Sequence, residues 1–330
     1  MNEFRYERAR DTASAVAAVA GHAGAVFIAG GTNLVDHMKL GIASPELVVD
    51  VTRLPLDRIE DIHGGGVRIG AGVRNSDLAA DSRIRARYPM LAEALLAGAS
   101  GQLRNLATTA GNLLQRTRCV YFQDLTTPCN KRKPGTGCSA IEGWTRHHAI
   151  LGASEHCVAV HPSDMAVAMV ALDARVAVLG PSGERAIPLV DFHRLPENTP
   201  ERDTVLEHGE LVVAVELPAL PFAALSRYRK VRERASYAFA LVSVAAAIDV
   251  GDGLVRDVRL ALGGIAHKPW RAVRAEAALR GHPATVESFR IAAEEELVDA
   301  KPLRDNAFKV PMAKNAIVAT LRELAGKDLR

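Results

Sequence analysis

"AVFIAGGTNLVD", residues 25–36, runs from an apolar strand into two glycines and then into small polar residues. Gly30 and Gly31 carry no Cβ to hold another group away, and Thr32 and Asn33 add side-chain donors. Backbone N–H groups in such a turn form a nest that suits a pyrophosphate, although Gly-Gly after a strand also serves as a plain tight turn. The stretch is not a Rossmann fingerprint, because no G-x-G-x-x-G opens a helix here. If a dinucleotide binds, another fold holds it. A second turn of small residues, "NLATTAGNLLQ" at 105–115, offers Thr108, Thr109, Gly111 and Asn112. Two such loops suit one diphosphate better than either does alone.

Outward from this element the chain reads as a short α/β unit, with a helix at about 11–22, the strand 25–31 and a strand at 46–51. "GGVRIGAGV" (65–73) alternates like a strand, and Ser76 is placed to cap a helical segment that runs, broken near Pro89, to about Ala97. Periodicity disappears from 101 to 165. It resumes with a helix at 164–174, a hairpin across "RVAVLGPSGERAIPL", a strand at 210–218 and the linker "PALPF" at 218–222. Beyond the linker, "YRKVRERASYAFALVSVAAAIDV" and "GLVRDVRLALGGI" read as two strands joined at "GDG". Helices at about 270–281, 285–299 and 309–325 follow, so this second domain is an antiparallel sheet with segregated helices, an α+β layer architecture.

Composition excludes some partners. With 48% hydrophobic and 24% charged residues and a net charge of +3, no global field selects nucleic acid or a membrane surface. Glu3, Glu7 and Asp11 spoil a positively charged signal-peptide start, and no apolar run approaches the ~20 residues of a membrane span. Neither an export signal of its own nor a membrane span is expected.

All four cysteines, Cys119, Cys129, Cys138 and Cys157, fall in the aperiodic segment with spacing C-x9-C-x8-C-x18-C. They are too few for a disulfide-built scaffold, and their clustering favours one site. The C-x2-4-C knuckle of most zinc sites and the bacterial ferredoxin spacing are both missing. Pro128, Pro134, Gly135 and Gly137 can fold the loop back on itself, so spacing leaves open an iron–sulfur cluster, a four-cysteine zinc site and structural or disulfide cysteines. Arg104, Arg116, Arg118, Lys131, Arg132, Lys133 and Arg146 outnumber Asp124 and Glu142 here. Those cations either offset a negative cluster, form a solvated face or dock an acidic partner. His147, His148, His156 and His161 show no metal-ligand pattern and read as surface residues. No nucleophile–base signature is present, and hydrolysis finds no support.

Nearly the whole chain resembles the flavin-binding subunits of the molybdenum hydroxylases, the group of xanthine dehydrogenase and carbon monoxide dehydrogenase. The motifs that carry the resemblance are, in order, "FRYERARDTASAVAAV", "IAGGTNL", "GQLRNLATTAGNL", "HPSDMAVAMVALDA" and "YRKVRERASYAFALVSVAAAI". It implies a vanillyl-alcohol-oxidase-type FAD-binding domain of two α/β subdomains over residues 1–220. An α+β domain like the C-terminal domain of carbon monoxide dehydrogenase flavoprotein would follow over 223–330. By position it implies that Ile28, Ala29, Gly30, Gly31, Thr32, Asn33 and Leu34, with Thr108, Thr109, Ala110, Gly111 and Asn112, cradle the FAD diphosphate. Asp164 would hydrogen-bond the flavin's sugar-like chain and Lys230 would approach the isoalloxazine ring.

One departure stands out: Asn112 and Asp164 are 52 residues apart, where most of the family passes almost directly from one motif to the other. The insertion, about 113–163, carries "QRTRCVYFQD", "PCNKR" and "PGTGC" and resembles the middle subunits of bacterial periplasmic aldehyde oxidoreductases. Those subunits hold a [4Fe-4S] cluster besides FAD, which implies Cys119, Cys129, Cys138 and Cys157 as its ligands. The implied protein is an electron-transfer subunit without a catalytic residue of its own. Its partners would be a [2Fe-2S] subunit and a molybdenum-cofactor subunit in a heterotrimer, together with an external electron acceptor. Its location would be periplasmic by co-export with a signal-bearing partner, or otherwise cytoplasmic. The rival readings are a stand-alone flavin oxidoreductase of the same fold and a non-redox scaffold with a structural zinc site.

Overall fold

Three sheets follow one another along the chain, each meeting a different demand for burial. The structure, a computed structural model, describes residues 1–328. In the first sheet β1 (Arg5–Arg8), β2 (Ala25–Ile28) and β3 (Leu47–Asp50) run parallel in the order β1-β3-β2. The helix Thr12–Ala20 begins on a capping box between Asp11 and Ser14, and it buries Ala15, Val16 and Val19 in the core it shares with this sheet. β2 ends at Ile28, short of the expected 31, and the chain turns through Gly31 at φ +70°.

The second sheet is antiparallel and consists of β4 (Ile59–Asp61), β5 (Val67–Gly70), β6 (Arg175–Gly180), β7 (Gly183–Pro188) and β8 (Leu211–Leu217), in the order β4-β5-β8-β6-β7. Its central strand β8 seals two cores. Leu211 and Val213 pack into the first, while Val212, Val215 and Leu217 pack into the second. The helical stretch after β5 breaks twice, into Asn75–Ala80, Ser82–Arg87 and Pro89–Ala97. Ser76 is not the cap that its position suggests, since it lies inside the first of these helices. Asp81 caps the second by accepting from the N–H groups of Arg83 and Ile84.

The third sheet contains β9 (Ser226–Val231), β10 (Val242–Gly251), β11 (Leu254–Gly263) and β12 (Trp270–Arg271), in the order β12-β11-β10-β9. The stretch read as one strand is two, because residues 232–241 loop out between β9 and β10 around Tyr237 at φ +50°. Asp252 and Gly253 at φ 55° and 76° supply the left-handed pair that a two-residue hairpin turn requires.

β10 is buried on both faces. Val242, Val244, Ala246 and Ile248 join the core shared with the helices Val273–Leu279, Val286–Glu296 and Lys309–Asp328, while Ala245 and Ala247 join the core of the second sheet. Against that second face lies the helix Asp164–Ala171, buried at all eight positions. Gly263 makes room for it, because a Cβ there would collide with Ser243 Oγ and sit 2.6 Å from Val167 Cγ2. Among the described residues no helix is long and apolar enough to cross a membrane. Gly263→Ala should therefore cost about 1–3 kcal/mol, as overpacking does. A lowered urea midpoint with an unchanged slope would show it, and a wild-type midpoint would mean that the helix has slack.

Candidate functional site

The two small-residue turns meet backbone to backbone. At Gly30 a Cβ would collide with the Leu106 carbonyl oxygen and lie 2.8 Å from its carbon, so only glycine allows this approach. Ile28, Ala29, Gly30, Gly31, Thr32, Asn33 and Leu34 stay half-buried along the seam, with Ala110 and Asn112 beside them and Gly111 exposed. Several of the side chains read as ligand donors hold the turns in place instead. Asn33 Oδ1 accepts from the Arg116 N–H at 3.0 Å. Thr108 Oγ1 accepts from the Gly111 N–H at 3.2 Å, and the fully buried Thr109 donates its hydroxyl to Val73 O at 3.0 Å.

The ends of the insertion are pinned together. Ser163 donates its hydroxyl to Asn112 Oδ1 at 2.6 Å and accepts from the Ala166 N–H at 2.9 Å, which caps the buried helix. A lobe thus stands with both feet on one point. Beneath it Lys131, 2% exposed, donates to Pro200 O at 2.6 Å and pairs with Asp203 at 2.5 Å, and Arg116 Nε reaches the other Asp203 oxygen at 2.7 Å. Burial alone would raise the Asp203 carboxyl, but these two cations outweigh it and hold it well below the usual range. Arg132 donates to the carbonyls of Tyr121, Phe122 and Thr127, and Arg146 pairs with Glu233. Most of the basic run is internal scaffolding, and Lys133 is the member fully turned to solvent.

Asp164 and Lys230, assigned separately from sequence, touch each other. Lys230 Nζ donates to Asp164 Oδ2 at 2.8 Å and to Ala97 O at 3.2 Å, and the Tyr228 hydroxyl donates to Asp164 Oδ1 at 2.5 Å. The pair is almost wholly buried and ties the first residue of the Asp164–Ala171 helix to β9.

In front of Asp164 lies a cavity of ≈ 190 Å³ that both halves of the chain enclose. Ser163, Asp164 and Val167 line it from one side, and Ala240, Ser243, Gly263 and Gly264 from the other. Trp144 and Phe239 form part of its wall while remaining about half exposed, and the Arg118 guanidinium lies 5.4 Å from the Phe239 ring centre. Three lining side chains, Arg118 at Nε, His148 at Nδ1 and Ser243 at Oγ, each have a buried polar atom with no partner among the described residues. Buried polar atoms rarely stay unpaired, so a polar ligand fits here. Sequence reasoning missed the Phe239–Ser243 and Gly263–Gly264 walls, since nothing in either stretch says that it faces the "PSDM" turn.

The four cysteines are free thiols in this lobe, Cys129 and Cys157 buried and Cys119 and Cys138 half-buried. Cys129 and Cys138 face each other across a short antiparallel bridge. Burial pushes Cys119 up to about 11 and Cys157 up to about 12. Yet among the described residues no three His, Cys, Asp or Glu side chains gather into a metal-holding group, and Cys119 Sγ lies 3.2 Å from His148 Nε2. The donor set has the chemistry of an all-thiolate site, while its shell does not stand closed.

Residues 2–220 match the FAD-binding domain family of molybdopterin dehydrogenases, and residues 226–324 match the carbon monoxide dehydrogenase flavoprotein C-terminal domain. The chain belongs to this family. This molybdenum hydroxylase FAD-binding subunit is 54% identical over 326 residues to the aldehyde oxidoreductase FAD-binding subunit PaoB of Escherichia coli, with 98% of each chain covered. It is 29% identical over 274 residues to the glyceraldehyde dehydrogenase medium chain of Sulfolobus acidocaldarius, covering 83% of this chain and 80% of the relative. The solved carbon monoxide dehydrogenase of Hydrogenophaga pseudoflava has a chain matching 98% of both partners at a TM-score of 0.77 and 26% identity. The FAD-binding subunit is therefore part of an oxidoreductase, and the expected fold, an FAD-binding domain followed by an antiparallel sheet with helices, holds.

Two of the histidines read as surface residues, His148 and His161, are buried. His161 packs its ring 4.3 Å from that of His193, whose Nε2 lies 2.8 Å from Leu113 O, and His267 Nδ1 lies 2.9 Å from Arg194 O. Burial pushes His193 and His267 down to about 4 and His161 well below its ordinary value. These rings stay neutral in the fold and charge once it opens, so the stability they lend is full above pH ~6.5 and is lost as pH falls towards 4. The melting temperature should drop steeply between those values, and His193→Phe should flatten the drop. A constant melting temperature across that window would contradict the assignment.

Proposed function

We propose that this chain is the electron-transfer subunit of a molybdenum-containing aldehyde oxidoreductase, binding FAD across the seam of the two turns and the cavity before Asp164. The cavity carries this reading: both halves of the chain enclose it, glycine and alanine open its walls, and three buried polar atoms on its lining side chains lack partners among the described residues. The backbone of Ile28–Leu34 and Thr108–Asn112 holds the diphosphate. Asp164, oriented by Tyr228 and Lys230, takes the sugar-like chain, and Lys230 sets a cation near the ring. When bound, FAD supplies the chemistry that accepts electrons singly and gives them up in pairs.

Aldehyde is oxidised to carboxylate on a molybdenum-cofactor subunit. A [2Fe-2S] subunit delivers the electrons within a heterotrimer, and an external acceptor removes them. The two relatives named for aldehyde substrates support that placement. Cys119, Cys129, Cys138 and Cys157 hold a [4Fe-4S] cluster, a reading supported by four free thiols in one lobe with Lys131 close enough to pull Cys157 the other way. The complex works in the periplasm by co-export with a signal-bearing partner, or otherwise in the cytoplasm.

An inventory of flavin, iron, sulfide and zinc in the purified complex tests this. Flavin should be present, with about four irons assigned to this chain for a cubane cluster. Gly31→Val, at φ +70° and against Val35, should empty the flavin site while iron stays. Cys129→Ser should release the iron. Full flavin occupancy in the first variant would refute the diphosphate seam, and zinc in place of iron would refute the cluster.

A further inference from the structure

Lys309 is wholly buried and opens the helix Lys309–Asp328. Lysine is almost never fully buried unless an anion pairs with it, and the first turn of a helix, the positive end of its dipole, is a poor place for a cation. Yet no carboxylate from β9, β10, the helix Val286–Glu296 or any other of the described residues forms a salt bridge with it. Its Nζ donates instead to His148 O at 3.0 Å and to Gly264 O at 2.8 Å, and both residues belong to the wall of the cavity before Asp164. Burial pushes Lys309 down to about 7, and the nearby Arg146 adds to the shift. Burial and the Lys309 charge together favour the neutral forms of His147 and His148 beside it.

The other charges around the cavity largely cancel in pairs. Lys230 answers Asp164, and Arg146 answers Glu233. Arg118, on the wall, forms no salt bridge among the described residues, and the exposed Asp36 acts on it from farther away. Two cations therefore stand over beside an enclosed site, where fixed charge acts more strongly than in water. We propose that Lys309, seconded by Arg118, is the counter-charge for the negative charge that the flavin ring gains on reduction, and that it raises the flavin's midpoint potential through the cavity wall. Two electrons, delivered by the [2Fe-2S] donor, and one proton from solvent leave the ring with one added negative charge. Above pH 7 a second proton from solvent comes to rest on Lys309 Nζ, and both protons return to solvent when the acceptor removes the electrons. Lys309 is a positioning residue behind the wall, an inference that rests on the cavity being the flavin's.

The test is a dithionite titration of the purified holo-complex, read as the flavin midpoint potential against pH, with FAD content as the control. Lys309→Met removes the cation, Lys309→Gln removes it while keeping an N–H donor for the two carbonyls, and Lys309→Arg keeps the charge. The midpoint should fall in both the Met and the Gln variants and stay near the wild-type value in the Arg variant. The wild-type midpoint should also drop more steeply with pH above about 7, converging on those of the uncharged variants. A Gln variant with the wild-type midpoint and bound FAD would reduce Lys309 to a structural clamp and overturn the counter-charge, leaving the flavin site intact. If both uncharged variants lose their FAD, the wild-type profile decides: steepening above pH 7 supports the counter-charge, and a constant slope overturns it. A wild-type complex without flavin would overturn the parent reading and this inference together.

Discussion

The hydroxyl of Ser163 joins three parts of the molecule that chain order keeps apart. A helix that starts in the protein interior must find partners for its first N–H groups, because no water can serve them. Ser163 meets that demand for Asp164–Ala171, and its own proton goes to Asn112, the last residue before the insertion. The next residue, Asp164, takes Tyr228 and Lys230 from β9. The insertion, the glycine seam and the C-terminal sheet are thereby referred to one corner, and the cavity opens beside it.

Most of the fold was legible because burial writes a period into the chain. The alternation of β10 between two apolar faces, the Asp-Gly turn that follows it and the capped helix at 12–20 are local signals with local causes. β1 escaped notice because all four of its residues are exposed, leaving no alternation to read. The loop at 232–241 was hidden inside one apparently continuous run, although the polar "ERAS" within it was a usable sign. At the site, Gly30 and Gly31 could be found because backbone contact and a positive φ demand glycine. The work of Thr108, Thr109 and Asn33 could not, since a hydroxyl or amide does not announce which acceptor it will meet. The cysteines were legible as one cluster, but not as a closed set of ligands.

Charge is arranged beneath the lobe so that few groups stand alone. Lys131 and Arg116 share Asp203, and removing Asp203 would strand the buried Lys131 charge, which commonly costs about 3–5 kcal/mol. This explains why a basic run in a loop proved largely internal: an insertion with little helix or strand of its own is held by side chains reaching carbonyls and the distant carboxylates of Asp203 and Glu233. The buried histidines belong to the same economy, being polar enough to meet the Leu113 and Arg194 carbonyls and neutral enough to stay out of water.

The helix Asp164–Ala171 also bears on how the chain is made. It is covered by the second sheet's core on one flank and by β10 and β11 on the other, and those strands leave the ribosome some 70 residues or more after the helix. While synthesis is under way, the seven apolar residues of this helix wait without their final cover, so the N-terminal segment cannot finish folding alone. What family comparison divides into two parts therefore matures as one, and the nascent chain is most in need of protection in the interval before β11 emerges.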